Sequence, residues 1–294
     1  MIRQTFIISL ALLVLALPAV AETINETHKV AKDGNISIEV LAGDITVTGW
    51  NKSEVKITGT LDPKADSLEV NERGGDLEIE VEYPDDVKNV KGSTLEIMVP
   101  VGCDVEISTV SCEVAIDEVE GEVEAETVSG TITVRGEPTE IEAATVSGSL
   151  DIKVESDVAS LACVSGTIEV TGVRRELECA VVSGSITVDA GKAMESLECA
   201  TVSGDIDVIG QLPRDADWSL AAHSGDVTLT LKGKVNAEFS IETFSGDIDD
   251  DAFGHKAHRT SKYAPGRELD FSEGDGSASV EIEAFSGDVT IRKR

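Results

Sequence analysis

Two histidines and three aspartates lie close together in the C-terminal part of the chain, in a combination that suits a metal ion. His255 and His258 are three residues apart and follow Asp249, Asp250 and Asp251. Imidazole nitrogens and carboxylate oxygens are ordinary protein ligands of zinc and calcium. Exposed polar loop residues explain the cluster equally well. The sequence therefore assigns no metal ligand and leaves four candidates: Asp249, Asp251, His255 and His258.

Residues for catalysis are scarce. The four histidines are spread over three regions, and residues 104–172 hold 16 Asp or Glu against only Arg135 and Lys153. A polysaccharide lyase or hydrolase that acts on acidic sugars needs basic residues to bind its substrate. Aromatic residues, on which neutral sugars stack, make up 3% of the chain. The sequence predicts no catalytic and no cofactor-binding residue, and a polysaccharide-active enzyme is the least favoured hypothesis.

A short phrase that ends in Ser-Gly recurs along the chain and must position these residues. From Ser129 to Ser183 its period is 18 residues; it lengthens to 20 at Ser203 and to 21 at Ser224 and again at Ser245. A last copy, with Ser286, follows 41 residues later. Self-similarity at this length is typical of a solenoid, in which each repeat is one coil stacked on the next.

Alternation within each repeat predicts strands on both sides of the Ser-Gly corner. In the copy around Ser165, for example, Ala159, Cys163, Ile168 and Val170 fall on one face. The residues between such positions are mostly Glu, Asp, Thr or Ser and suit a solvated face. We therefore predict an all-β protein, a single-stranded β-solenoid of the β-helix or β-roll kind with 18–21-residue coils.

The corner glycines are predicted to be structural, because glycine adopts positive φ without steric cost and lets the chain bend sharply. A phosphate-binding role is not favoured, since no helix follows the glycine and no lysine is placed to assist. The predicted corner glycines are Gly130, Gly148, Gly166, Gly184, Gly204, Gly225, Gly246 and Gly287.

Aspartates that follow the later corners are expected to form a stripe on the surface. Like charges stacked at coil spacing are costly unless they are screened, so weak calcium binding along the stripe is an alternative function. No other cofactor is expected. The stripe comprises Asp205, Asp207, Asp226, Asp247, Asp249 and Asp288.

Five cysteines in an exported chain raise the question of disulfides. Cys179 and Cys199 occupy equivalent positions in adjacent repeats, where small buried side chains are favoured over a disulfide. Cys103 and Cys112 are a looser candidate pair, and Cys163 is expected to serve packing.

The first 21 residues have the features of a signal peptide. Arg3 supplies a positive charge, residues 6–17 are apolar, and Ala19-Val20-Ala21 forms a cleavage site. No later segment is long and apolar enough to span a bilayer, so the mature chain is expected to have no transmembrane segment. We expect a periplasmic, secreted or cell-surface protein that begins after Ala21.

The chain carries a formal net charge of −32. Such a charge repels nucleic acid and anionic lipid surfaces, so no nucleic-acid partner is expected. It favours solubility and also attracts basic partners or divalent cations.

The repeat pattern divides the chain into five parts. Residues 1–21 are the signal peptide, and residues 22–102 are expected to form less regular coils in which Gly43-Asp44-Ile45 already echoes the repeat. Residues 103–249 are the regular repeats, residues 250–276 a loop and hairpin insertion, and residues 277–294 the C-terminal coil and cap. Solenoid ends need atypical caps because their strand edges are open.

Val-Ser-Gly followed by x-Ile-x-Val, repeated through an exported chain, resembles the toastrack-like family of bacterial proteins. Further matches are the segments 47–50, 83–84, 99–100 and 283–289. The family is classed as adhesin-like and has no established function. The resemblance covers residues 30–294 and implies a β-solenoid in the envelope or at the surface, sometimes linked to envelope-stress systems. It supplies no catalytic residues.

These observations predict a non-enzymatic, exported interaction or structural module. Its long regular faces would present a repeated surface to a protein or polymer of the envelope or cell surface. A calcium-dependent acidic binding module is the alternative.

Overall fold

The computed structural model describes residues 22–261 and 265–294, which form strands, turns and bends without a helix. The predicted signal peptide lies outside the described residues. No helix in the described part of the chain has the length and apolarity needed to cross a membrane. The strands of the first half are β1 (Thr23–Lys29), β2 (Asn35–Trp50), β3 (Glu54–Thr60), β4 (Ser67–Arg73), β5 (Asp76–Glu82), β6 (Ser93–Pro100), β7 (Asp104–Val119), β8 (Val123–Ser129), β9 (Ile132–Gly136), β10 (Glu140–Ser147) and β11 (Leu150–Ser165). Those of the second half are β12 (Ile168–Ser183), β13 (Ile186–Gly191), β14 (Ser196–Ser203), β15 (Ile206–Gly210), β16 (Asp217–Ser224), β17 (Val227–Leu231), β18 (Ala237–Ser245), β19 (Ile248–Asp250), β20 (His258–Arg259), β21 (Arg267–Glu273), β22 (Ala278–Ser286) and β23 (Val289–Lys293).

The regular repeats pair in parallel with equivalent residues opposite one another. Ile141 of β10 lies between Val123 of β8 and Ala159 of β11. The strands after the corners do the same, because Leu150 lies between Ile132 and Ile168. The prediction of an all-β, β-solenoid-like fold is confirmed.

Alternation along each strand separates an apolar interior from the surface, as predicted. Ala159, Cys163, Ile168 and Val170 are all buried. Because neighbouring repeats stack in register, these side chains join columns that form one continuous hydrophobic core. The burial of alternate side chains therefore packs one face of each strand against the core, and backbone hydrogen bonds join each strand to its neighbours.

The corner glycines are required by close approach as well as by conformation. At Gly166 φ is 152°, and a Cβ would lie 1.6 Å from the carbonyl oxygen of Gly148. Gly148 has no positive φ, yet a Cβ there would lie 1.8 Å from the oxygen of Gly130. Each corner thus packs its backbone directly against the next. In the first regular coil Cys112 takes the glycine's place, and its side chain is buried with Sγ 3.7 Å from the oxygen of Val40.

The N-terminal end does not follow the order of the sequence. Strand β2 pairs in parallel with β7, as the early Gly-Asp-Ile phrase suggested, with Ile45 opposite Val114. The other edge of β2 pairs with β5 and β6, which therefore lie farther out in the stack. Antiparallel strands then follow: β4 on β5, β3 on β6 and β1 on β3. These strands occupy the edge that a parallel stack leaves open.

The C-terminal end is rearranged in the same way, and our expectation that residues 277–294 form the terminal coil needs correction. Ser286 pairs with Ser224 on one side and with Ser245 on the other. The last copy of the repeat is therefore inserted between the two copies that precede it. Strand β21, from the segment predicted to be an insertion, pairs antiparallel with β18 on the outer side. The physical reason is that β18 would otherwise expose an unpaired edge.

The corner contact predicts a large effect of a single methyl group. Gly166→Ala should lower the free energy of unfolding by about 3 kcal/mol, because the Cβ would meet a backbone oxygen and strain the positive φ. Gly102→Ala is the matched control: it has no positive φ, and its Cβ would lie 3.5 Å from the nearest backbone oxygen. Urea unfolding of both variants measures the difference, and equal stabilities would contradict the corner contact.

The inward and outward assignment is tested by neighbours on β12. Ile168→Asp should cost roughly 4 kcal/mol or more, because it places an unpaired charge in the core. Glu169→Lys on the exposed face should change stability by less than about 0.5 kcal/mol. Thermal unfolding followed by circular dichroism gives both values, and similar losses would show the assignment to be wrong.

Candidate functional site

The four candidate metal ligands are not brought together. Nδ1 of His255 lies 2.9 Å from Oδ2 of Asp250, and Nε2 of His258 lies 2.8 Å from Oε1 of Glu268. Asp250 also accepts bonds from the backbone N–H groups of residues 252, 253 and 255, so it organises the turn. Asp251 is exposed, and Asp249 forms a backbone bridge with Lys256. Within residues 22–261 and 265–294, no group of three or more His, Cys, Asp or Glu is arranged to hold a metal ion.

Part of the predicted aspartate stripe has a structural role. The backbone N–H of Asp226 donates to Oδ1 of Asp205 at 2.9 Å. The N–H of Asp288 donates to Asp226 at 2.8 Å, and that of Asp247 donates to Asp288 at 2.8 Å. The carboxylates of Asp205, Asp226 and Asp288 therefore each accept a bond from the next corner of the stack. Arg267 pairs with Asp247 at the end of the series. This ladder explains why like charges are tolerated there.

All five cysteines are buried and free. Burial raises the pKa of Cys103 to about 12 and that of Cys112 to about 11. Cys179 lies opposite Cys199 in the register, and its hydrogen bond to Cys199 and its burial raise its pKa as well. Cys103, Cys112 and Cys179 are therefore held in the neutral form, and all five buried side chains serve packing.

The outer face carries a column of exposed valines, which we call the valine ridge. Each one precedes the Ser of its corner, and each is between 44% and 51% exposed. Its members are Val110, Val128, Val146, Val164, Val182 and Val202. Three aromatic side chains continue the ridge in the last three coils. The ring of Phe285 stacks on His223 at 4.7 Å between centroids and on Phe244 at 4.9 Å.

Beside the valine ridge lies a column of alanines, which we call the alanine floor. Strand alternation puts residues one and three positions before the Ser on the same outward face. The floor consists of Ala144, Ala162, Ala180, Ala200 and Ala221, and all five are half-buried or exposed. At its two ends the equivalent positions are Glu126 and Glu283. The small floor beside the taller ridge creates an open groove of about 810 Å³.

On the other side of the floor runs a third column, the glutamate column. Its members lie five positions before the Ser, on the same outward face, and include Glu106, Glu124, Glu142, Glu178 and Glu198, while Ser160 and Ser219 hold this position in two of the coils. Among the described residues, none of these five forms an ion pair with a basic side chain. Partial burial raises the pKa of Glu124, and the negative charges of Glu106 and Glu142 raise it further. The column is therefore an uncompensated negative edge beside an apolar surface.

The geometry suits binding rather than reaction. Alanine and valine have no group for acid–base or nucleophilic chemistry, and the thiol of Cys163 beneath them is buried with Sγ 3.4 Å from the oxygen of Gly148. His223, at the end of the groove, stacks on a phenylalanine. A long apolar surface with one charged edge orients an elongated partner through burial and charge.

Sequence reasoning predicted the buried columns but missed the groove. The exposed valine stands within the repeated phrase itself, and the alternation that places Cys163 inside also places Val164 outside. The alanines at 144, 162, 180, 200 and 221 follow the same rule. A search of the outward register for apolar residues would have found both columns.

The chain matches one family model and is similar to several solved structures. The family model described as Toastrack DUF4097 matches residues 33–218 and 212–292. Similar solved structures include a "putative adhesin" from Bacteroides fragilis, 13% identical over 93% of this chain and 97% of that chain, with a TM-score of 0.45. A "putative lipid binding protein" from Parabacteroides distasonis is 16% identical over 92% and 96%, with a TM-score of 0.37. No curated protein matches the chain.

Burial of the thiols predicts resistance to alkylation. At pH 8 the native protein should not react with iodoacetamide, because packing excludes the reagent from all five thiols and the raised pKa values of Cys103, Cys112 and Cys179 suppress their thiolates. After unfolding in guanidinium without a reductant, all five cysteines should react, as mass spectrometry would show. Modification of only three would reveal a disulfide and contradict the free state of the five cysteines, and peptide mapping would show which two are bonded.

Proposed function

The chain belongs to the Toastrack DUF4097 family, and on that premise we propose that it is a non-enzymatic, adhesin-like binding module that acts through the apolar groove. The observation that carries the proposal is the valine ridge beside the alanine floor. Together they expose an unbroken apolar surface across successive coils.

An exposed apolar surface of this kind is unusual on so acidic a chain. Soluble proteins generally keep contiguous apolar patches small unless the patch contacts a partner or ligand. The other outward positions of the repeats are mostly charged or hydroxylated, so the groove stands out by composition. Solenoids commonly bind along such extended faces, because stacking repeats one chemical feature many times.

The finer architecture belongs to the same proposal. A single-stranded coil with 18–21-residue turns would make the stack that begins at residue 103 a stiff body, with residues 22–102 completing one end. Residues 277–294 lie within this stack, between the coils of Ser224 and Ser245, and residues 250–276 supply the hairpin that covers the other end. In-register parallel pairing supports this interpretation. We place the mature chain in the periplasm or at the cell surface, after removal of residues 1–21, with a protein or polymer of the envelope as partner.

A neutral apolar dye tests the groove directly. Nile red should bind the native protein with a blue-shifted emission, because the groove removes it from water. Ala180→Glu should reduce the bound fraction at least about fivefold, since a charge on the floor must be desolvated. Fluorescence titration gives the affinity.

The matched control for this experiment lies on the same strand. Thr171→Glu introduces the same charge at an exposed position of β12 next to Lys153, outside the groove. It should bind the dye as the parent protein does. Equal dye binding by all three proteins, or none by the parent, would refute the groove as a binding site.

A further inference from the structure

The glutamate column makes the two sides of the groove chemically different, one negatively charged and one apolar. Glu142, Glu178 and Glu198 stand beside the alanines of the same strands, and the valine ridge stands on the opposite side. An occupant of the groove therefore meets an apolar floor, an apolar wall and an anionic edge. An occupant with an apolar face flanked by cations would satisfy all three.

We infer that the groove binds a cationic amphipathic polypeptide segment, with its apolar face on the valine ridge and alanine floor and its Lys or Arg side chains along the glutamate column. This inference rests on the proposed groove function. It identifies the partner by chemistry: lysine and arginine lay their apolar stems on a hydrophobic surface while their charged ends reach acids at its border.

The dimensions fit a short helix. From the coil of Glu126 to the coil of Glu283 there are six interstrand steps, which at ~4.8 Å each give a length of about 29 Å. A helix of about 19 residues has this length at 1.5 Å per residue. Side chains three or four apart on a helix repeat every ~5–6 Å, close to the coil spacing, so basic residues along one face of a helix can meet the glutamates of those coils that carry one.

Charge argues against two other occupants. A second copy of this chain would bring another surface of a protein with net charge −32 against the groove, and the two glutamate columns would repel. An anionic membrane surface is repelled for the same reason. The glutamates beside the floor have no basic partner within the described residues, so a cationic segment would supply the missing counter-charges.

Two synthetic peptides test the inference. Both are amphipathic helices of about 18 residues built on one leucine pattern; one carries lysine and the other glutamate at all polar positions. The lysine peptide should bind the full protein at low salt at least about tenfold more tightly than the glutamate peptide, and its affinity should fall as salt is raised. Fluorescence anisotropy gives both affinities.

A matched pair of charge variants locates the effect. Replacing Glu142, Glu178 and Glu198 by Gln should weaken the lysine peptide about tenfold. The control replaces Glu169 by Gln and Asp207 and Asp249 by Asn, which removes the same charge from exposed positions after the corners. The control should keep its affinity within about twofold at moderate salt. Circular dichroism checks that both variants are folded.

The remaining outcomes separate this inference from the groove itself. Binding of Nile red without a preference for the lysine peptide would overturn the inference and leave the groove function intact. Absence of Nile red binding together with absence of a peptide preference would overturn both the inference and the groove function. Equal weakening by the two charge variants would overturn it, because the attraction would then be non-specific. Tighter binding to neutral phosphatidylcholine vesicles than to the peptide would favour a lipid and overturn it. Concentration-dependent dimerisation that displaces Nile red would overturn it in favour of a second copy.

Discussion

At each Ser-Gly corner the carbonyl oxygen of one coil occupies the space where a side chain on the next coil's glycine would begin. A Cβ on Gly246 would lie 2.0 Å from the oxygen of Gly287, although Gly246 has no positive φ. The glycine is therefore required by the approach of two backbones. A shift of one residue along the strand would bring a side chain into this contact and reverse the faces of the strand. The corner thus fixes the register, and the register places equivalent residues of successive coils above one another.

Stacking in register repeats the residue type of each position from coil to coil. An aliphatic position becomes a column of the core, and an acidic position becomes a column of like charges. In the column that contains Asp205 and Asp226, the repulsion between carboxylates is offset because each of these two carboxylates accepts a backbone hydrogen bond from the next coil. The column that contains Glu142 and Glu178 lies on the strand face, where the backbone groups are already paired within the sheet, so no such bond is available. The valine ridge is likewise left exposed, with no side chain of the described residues covering it. These two columns border the groove.

The sequence predicted what repeats locally, and it did not predict what depends on pairing at the ends. Alternation around Ser165 was sufficient to place Ile168 in the core, because burial follows from a period of two. The insertion of Ser286 between Ser224 and Ser245 could not be read in this way, since a strand that fits one coil fits its neighbours equally well. The covering strand β21 pairs antiparallel with β18, and this pairing has no signature in the repeat. The outward Val164 was predictable, because the alternation that buries Cys163 exposes its neighbour.

Changes in repeat length do not interrupt the groove. The 20-residue repeat takes up its extra residues around Gly191, where the pairing register shifts in the turn between coils. The strand before the corner keeps Leu197 opposite Leu177 and Thr201 opposite Val181. The register is also kept between β16 and β22, which are far apart in sequence, so Phe285 lies on the ridge beside His223. Because the groove is built only from positions that precede the corner, it follows strands whose register is unchanged from coil to coil. An elongated occupant therefore meets a continuous surface, whatever the length of the loops that connect its coils.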